Sequence, residues 1–268
     1  MAHTIDSPVM SVEPPAMPAP AQKAARSRFA LLTGIQWITY VVIMAIFVMT
    51  FVVQAFQIPS ESMENTLLIG DYLLVDKVQY GPRGVWGEVL PYEHVNRGDV
   101  IVFKWPVHPE QHFVKRVVGV PGDRIRLVNG RVMVNGSFLK EGYAVYKQGP
   151  HDTFRDDFPT RHLLSPLMTA KWWADIPLLV RNGDLLVPED SYFVLGDNRN
   201  ESLDSRYWGL VPRENIVGKP LFVYFSLRQS PLQFTSRSDG DDKIVRFGNA
   251  LMRLPGMARW QRTFMFVK

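Results

Sequence analysis

Apolar residues run without a charged side chain from Phe29 to Ser60, and they are densest over Ile35–Val53 (IQWITYVVIMAIFVMTFVV). At about 1.5 Å per residue, that core is long enough to cross a bilayer whose hydrocarbon layer is roughly 30 Å thick. The pattern then changes period. Tyr72–Val78 (YLLVDKV), Val100–Phe103, Phe113–Val120, Ile125–Val128, Tyr192–Leu195 and Ile216–Phe225 are short β-branched and aromatic runs between turn residues, which predicts strands. Asn129-Gly130, between RIRLV and RVMV, predicts a two-residue hairpin because both turn positions need positive φ; Asn135-Gly136 repeats the signal.

These elements divide the chain. Residues 1–30 hold Pro8, Pro14, Pro15, Pro18 and Pro20 among alanines and serines and read as a disordered tail. Residues 31–55 read as a transmembrane helix, and 56–142 with 187–230 as a β-rich core. Between these, 143–186 form an inserted subdomain or long excursion whose Trp172-Trp173 pair reads as packing. Residues 231–268 mix arginines with Phe, Leu, Met and Trp. They read either as a segment packed on the domain, with Pro255 interrupting any helix, or as one lying on anionic lipid.

Charge sets the orientation. Lys23, Arg26 and Arg28 precede the apolar run, and Glu61, Glu64 and Asp71 are the first charges after it. Basic residues stay cytoplasmic, so the tail is expected inside and the rest outside. Val53-Gln54-Ala55 fits a signal-peptide cleavage site weakly, but the apolar run is too long and its lead too extended for a cleaved signal. The 268 residues carry a net charge of +4, too little to argue for nucleic acid, and no cysteine, which removes a thiol nucleophile, disulfides and cysteine zinc clusters.

Chemistry is sought next to the apolar run, where Pro59-Ser60-Glu61-Ser62-Met63 places two hydroxyls near the membrane surface. No Gly-x-Ser-x-Gly, His-Glu-x-x-His or P-loop occurs. His3, His94, His108, His112, His151 and His162 show no acid–base spacing, although triads assemble in space and spacing does not exclude one. A neutral lysine is another activator of serine. Only roughly one ordinary lysine in a few thousand is neutral at pH 7, so such a lysine must be desolvated. Alternation places Lys115 on one strand face with Phe113 and Val117, and Val114, Arg116 and Val118 on the other. A third cluster, Leu195–Gly209, follows a strand and is dense in hydrogen-bonding groups.

Five motifs in order resemble the type I (leader) signal peptidases, membrane-bound serine proteases with a Ser/Lys dyad. They are Phe56-Gln57-Ile58-Pro59-Ser60-x-Ser62-Met63-x-x-Thr66-Leu67; Gly70–Val75; Arg97–Pro106; Val114–Asp123; and Gly196-Asp197-Asn198-Arg199 through Ser202, Asp204, Ser205, Arg206 and Gly209. The resemblance implies a mainly β fold: an antiparallel-sheet catalytic domain shared with SOS-repressor-type autoproteases, preceded by a single transmembrane helix. It implies Ser62 as nucleophile and Lys115 as general base. The Ser62 amide and Ser60 hydroxyl would form the oxyanion hole, Ser202 would orient the lysine, and Asp204, Arg206, Asp197 and Arg199 would support the site. Phe56, Ile58, Pro59, Met63, Leu67 and Val114 would bind substrate, an exported preprotein with small residues at −1 and −3, added as a strand to a sheet edge. No metal or organic cofactor, and no nucleic acid, is implied; a monomer in the cytoplasmic membrane, its catalytic domain on the outer face, is expected.

Two positions depart from the family pattern. Glu61 stands where glycine is frequent and is expected to point to water. Asn65 stands where proline is frequent, so the turn after Ser62 loses one fixed φ. Two other readings remain at this point. A self-cleaving Ser/Lys repressor lacks a DNA-binding helix pair; a membrane-tethered β-domain that binds peptides without cutting them would be a degenerate relative.

Overall fold

Ala19–Phe47 form one helix, α1. The computed structural model describes residues 19–78, 93–160, 165–228 and 256–267, with side chains from residue 31 onward. The helix reaches back into the expected tail because Ala, Gln, Lys and Arg are strong helix formers; residues 1–18 lie outside the described residues. Leu31–Val52 is long and apolar enough to cross a membrane, and none of it is buried. Its last turn, Val48–Val52, is π-helical. The chain divides into two units, Met1–Val48 and Met49–Lys268.

Among the described residues thirteen strands follow: β1 (Val53–Gln57), β2 (Asp71–Asp76), β3 (Val100–Lys104), β4 (His112–Gly119), β5 (Arg124–Val128), β6 (Arg131–Val134), β7 (Ser137–Phe138), β8 (Val180–Arg181), β9 (Asp184–Leu186), β10 (Ser191–Leu195), β11 (Val211–Pro212), β12 (Ile216–Ser226) and β13 (Met265–Phe266). The larger sheet has the order β1-β2-β12-β3-β4-β10-β11, with β13 added to β12; the smaller runs β7-β6-β5-β9-β8. Their pairings are antiparallel. The fold class is therefore mainly β, with one N-terminal apolar helix. β12 joins the halves of the larger sheet, pairing with β3 at its start and β2 further on, and its register shifts beside Pro220, which has no N–H for the ladder.

The turns follow their chemistry. Asn129-Gly130 and Asn135-Gly136 both take positive φ at the two central positions, as does Asn182-Gly183 between β8 and β9. β1 was not among the expected strands: Val53–Ala55 read as the end of the apolar run, yet they extend and pair with β2 from Val53↔Asp76 to Gln57↔Tyr72.

The stretch 143–186 is an excursion, not a separate body. Its α2 (Thr153–Asp156) and α3 (Ala170–Leu179) return the chain to β8 and β9. Trp172, Ile176 and Val180 share a core with Val118, Ile125, Phe158 and Phe193. Trp172 is 3% exposed and donates its indole N–H to the Arg206 carbonyl at 3.2 Å, so it packs. Residues 229–255, including Pro255, lie outside the described residues. The segment 256–267 returns to the sheet through β13, and Arg259 and Arg262 turn inward to the fully buried Asp71 at 3.5 and 2.7 Å. These two arginines, expected either to pack or to meet lipid, are held by the core.

Candidate active site

The turn that carries Ser60 and Ser62 is anchored at both ends. At its start, Ile58 N–H donates to Asp71 O at 2.8 Å and Gly70 N–H to Ile58 O at 2.9 Å. Met63 and Leu67, 1% and 0% exposed, plug the turn into a core with Leu73, Val75, Val100 and Val102. Leu67 N–H donates to Met63 O at 2.7 Å, a helical turn. Asn198 clips the far side: its N–H donates to Ser62 O at 3.1 Å and its side-chain amide to Glu61 O at 3.2 Å.

Lys115 reaches this turn from β4. Its Nζ donates to Ser62 Oγ at 2.5 Å and lies 5.6 Å from the Phe113 ring centre. Ser60 Oγ is 3.3 Å from Ser62 Oγ. No histidine bonds Ser62 among the described residues, and the Ser62 N–H has no acceptor there. His151 and His108 instead pair on the surface with Asp157 and Glu110; His3 and His162 lie outside the described residues.

Burial is the largest influence on Lys115 and pushes its pKa down to about 8, against the pull of Asp204 and Asp197 and with help from Arg206. Each of those carboxylates has its own arginine. Arg206 holds Asp204 at 2.8 Å through Nε and Nη2. Arg116 holds Asp197 at 2.8 and 2.7 Å. Burial alone would raise the Asp204 carboxyl, but Arg206 outweighs it and keeps the group below its ordinary range. The paired charges thus act on Lys115 at reduced strength, and desolvation prevails.

The loop Gly196–Arg206 is the frame. Arg199 binds Glu141 at 2.9 and 2.5 Å and the Gly196 carbonyl at 3.1 Å. Arg206 adds the Arg199 carbonyl at 2.9 Å, and Gly196 N–H donates to Asp204 at 3.2 Å. A side chain at Gly196 would run into the Ser202 hydroxyl and the Ser62 carbonyl. Ser202 is 7% exposed, and its hydroxyl makes no bond of ordinary geometry, so the expected contact with the lysine is not formed here.

A cleft of about 310 Å³ opens beside Ser62, lined by Phe56, Ile58, Pro59, Met63 and Val114 together with Phe113, His112, Glu201 and Leu203. Leu67 is not on its wall; it is buried beneath. Sequence reasoning gave no role to Arg116, Thr66, Asn198 or Glu141. Thr66 Oγ1 donates to Asp197 at 2.5 Å, linking the serine turn to the frame. The signal for Arg116 was its place beside Lys115 on a strand buried on both faces. Glu61 is half exposed and meets Lys147 at 3.3 Å, pointing to solvent. Asn65 has φ 85°, a conformation closed to proline, and donates to Tyr143 O at 3.2 Å.

The family model described as signal peptidase, peptidase S26, matches residues 31–225. Signal peptidase I of Leptolyngbya laminosa is 35% identical over 85% of this chain and 95% of that protein. Signal peptidase I of Helicobacter pylori is 30% identical over 91% and 95%, and that of Aquifex aeolicus 34% identical over 69% and 81%. The crystal structure of a signal peptidase I from Enterococcus faecalis superposes over 47% of this chain and 97% of its own, at 31% identity and a TM-score of 0.35.

Proposed function

The chain belongs to the signal peptidase family, peptidase S26, and is a serine endopeptidase; on that premise we propose that Ser62 and Lys115 cut signal peptides from exported preproteins at a membrane surface. The observation that carries this reading is the 2.5 Å contact between a buried lysine and a serine hydroxyl. A lysine with a pKa of about 8 is neutral in about one molecule in ten at pH 7, against roughly one in a few thousand for an ordinary lysine.

Neutral Lys115 takes the Ser62 proton as Oγ attacks the scissile carbonyl carbon. The carbonyl oxygen becomes an oxyanion, facing the unpartnered Ser62 N–H and the Ser60 hydroxyl. The Lys115 ammonium returns a proton to the leaving amine of the mature chain, and the signal peptide stays as an ester on Ser62. Water, deprotonated by Lys115, attacks the ester carbonyl; the bond to Ser62 Oγ breaks, and the Lys115 ammonium returns the proton to that oxygen as the signal peptide leaves as a carboxylate. Asp204–Arg206 and Asp197–Arg116 keep both reacting groups in place. A cleft of about 310 Å³ walled by Phe56, Ile58, Met63 and Val114 supports small residues at −1 and −3, since bulkier ones meet Ile58 and Met63, which the core fixes.

The apolar Leu31–Val52, preceded by Lys23, Arg26 and Arg28, supports a membrane anchor with the tail inside and the catalytic unit outside the cytoplasmic membrane. A monomer suffices, because Ser62, Lys115 and their supports all come from one chain.

Detergent-solubilised protein is incubated with a preprotein carrying an Ala-x-Ala site. Ser62→Ala and Lys115→Ala are each expected to lose on the order of 10³-fold or more in kcat/KM. Equal cleavage by all three proteins would overturn the assignment. Labelling of Ser62 by an acylating inhibitor separates this enzyme from a peptide binder that does not cut.

A further inference from the structure

A second cavity, of about 390 Å³, lies against the cleft; Thr50, Phe51, Lys77, Lys104, His112 and Glu214 line it. Lys104 and His112 are direct partners across the β3–β4 ladder, which brings both side chains to one edge of the cavity. The Lys104 ammonium has no hydrogen bond or ion pair among the described residues, and the Lys77 ammonium gives one bond, to the Thr50 carbonyl at 3.2 Å. Glu214, the acid on the lining, forms no ion pair with any of them. Burial first, and the Lys104 charge second, lower the His112 pKa. Thr50 and Phe51 belong to the end of the apolar run Leu31–Val52, where lipid headgroups lie if that run spans a bilayer.

We propose that this cavity binds the phosphate of an anionic phospholipid headgroup and that its occupancy is felt in the substrate cleft through His112. The proposal rests on the membrane-anchored reading above. Phosphate supplies the charge that Lys77, Lys104 and His112 lack, and ammonium groups near an anionic membrane gain on the order of fivefold in affinity each. His112 lines both the cavity and the cleft, and its ring lies 5.2 Å from that of Phe56, which walls the cleft. Phosphate beside His112 favours imidazolium, and a cation against the Phe56 ring holds that ring in place. The cleft wall is then fixed before substrate arrives, so the gain falls on KM.

The test uses the full chain in nanodiscs of phosphatidylcholine alone or with phosphatidylglycerol, a soluble peptide substrate that does not partition into lipid, and NMR titration of the His112 ring. Phosphatidylglycerol is expected to lower KM about fivefold, leave kcat, and raise the His112 midpoint. In the double variant Lys77→Gln/Lys104→Gln, the KM ratio between the two bilayers is expected to fall to about one, with the His112 midpoint alike in both. A KM ratio and His112 midpoint that do not respond to phosphatidylglycerol, or a response that survives the double substitution, would overturn the proposal. Inorganic phosphate reproducing the full effect in phosphatidylcholine discs would overturn the lipid as its source. Absence of cleavage in every disc would instead count against the protease reading, while the His112 titration would still decide the site.

Discussion

Lys115 and Arg116 are neighbours on β4, 4% and 2% exposed, and they face opposite ways. Their surroundings treat the charge differently. Arg116 spends its guanidinium on Asp197 at 2.8 and 2.7 Å and on the Gly98 carbonyl at 2.7 Å, with the Tyr143 ring 4.0 Å away. Among the described residues, Lys115 has a hydroxyl, an aromatic ring and no carboxylate within ion-pairing distance. Pairing turns a buried charge into a buttress of fixed shape. Withholding the partner turns a buried charge into a base, because the neutral form becomes cheap relative to the ammonium. On the proposed mechanism, one strand therefore supplies a rigid support and a reactive group, divided by side-chain alternation.

The sharpest way to break the contrast is Lys115→Met, which keeps the stem and removes the ammonium. Cleavage is expected to fall on the order of 10⁴-fold, the upper range for a general base. Stability is expected to rise. A pKa of about 8 in place of 10.5 means the folded protein carries an unfavourable ammonium of about 3 kcal/mol at pH 7. The sign follows from proton binding. Below about pH 8 both states hold the proton and the penalty is full. Between about 8 and 10.5 the unfolded chain binds more protons, so the unaltered protein gains stability as pH rises. Lys115→Met should show higher stability at pH 7 and no such gain, measured by denaturant midpoints from pH 7 to 10. The pH profile of kcat/KM in the unaltered enzyme should rise through about 8. A variant less stable than the parent at pH 7 would show that the ammonium is not desolvated.

Next in size is the opposite manipulation, Asp197→Asn, which makes Arg116 resemble Lys115 by taking its counter-charge away. Guanidinium does not give up its proton in this range, so it remains charged and unpaired. Breaking a buried pair costs about 3–5 kcal/mol, and urea denaturation should read a loss of that size. Thr66 also loses its charge-assisted bond to Asp197, which loosens the turn carrying Ser62. A loss well below that range would mean that Arg116 had found another partner and that the two positions differ less than their geometry indicates.

How much of this was legible depended on how local the cause is. The Asn129-Gly130 and Asn135-Gly136 turns follow from two adjacent residues, and the lysine strand from an eight-residue run. β1 was hidden because Val53–Gln57 continues an apolar run, and only its ladder with β2, across the serine turn, makes it a strand. The motif resemblance named Ser62, Lys115 and the loop Gly196–Arg206, which the fold brings together. It did not tell that Leu67 lies under the cleft and not on its wall, since both positions are apolar. Arg116 acquires its role from Asp197, and Arg262 from Asp71, 81 and 191 residues away. Such pairings are written in the fold and not in any window of sequence.

The smallest expected effect tests whether exposure decides which charges matter. Glu61 sits between the two serines but is 53% exposed, and its carboxylate faces Lys147, as does that of Glu64 at 3.1 Å. Charges in water are screened within about 10 Å, and Glu61 is not among the groups that move Lys115. Glu61→Gln should leave the rising limb of the pH profile in place and the denaturant midpoint unchanged within error. The sign of any departure is informative. Removing a negative charge that reached Lys115 would lower the lysine pKa and shift the limb to lower pH. A shift in that direction, lost at high salt, would show that the site feels its solvent-facing carboxylates as well as its buried ones. An unmoved limb would confine the control of Lys115 to burial, Asp204, Asp197 and Arg206.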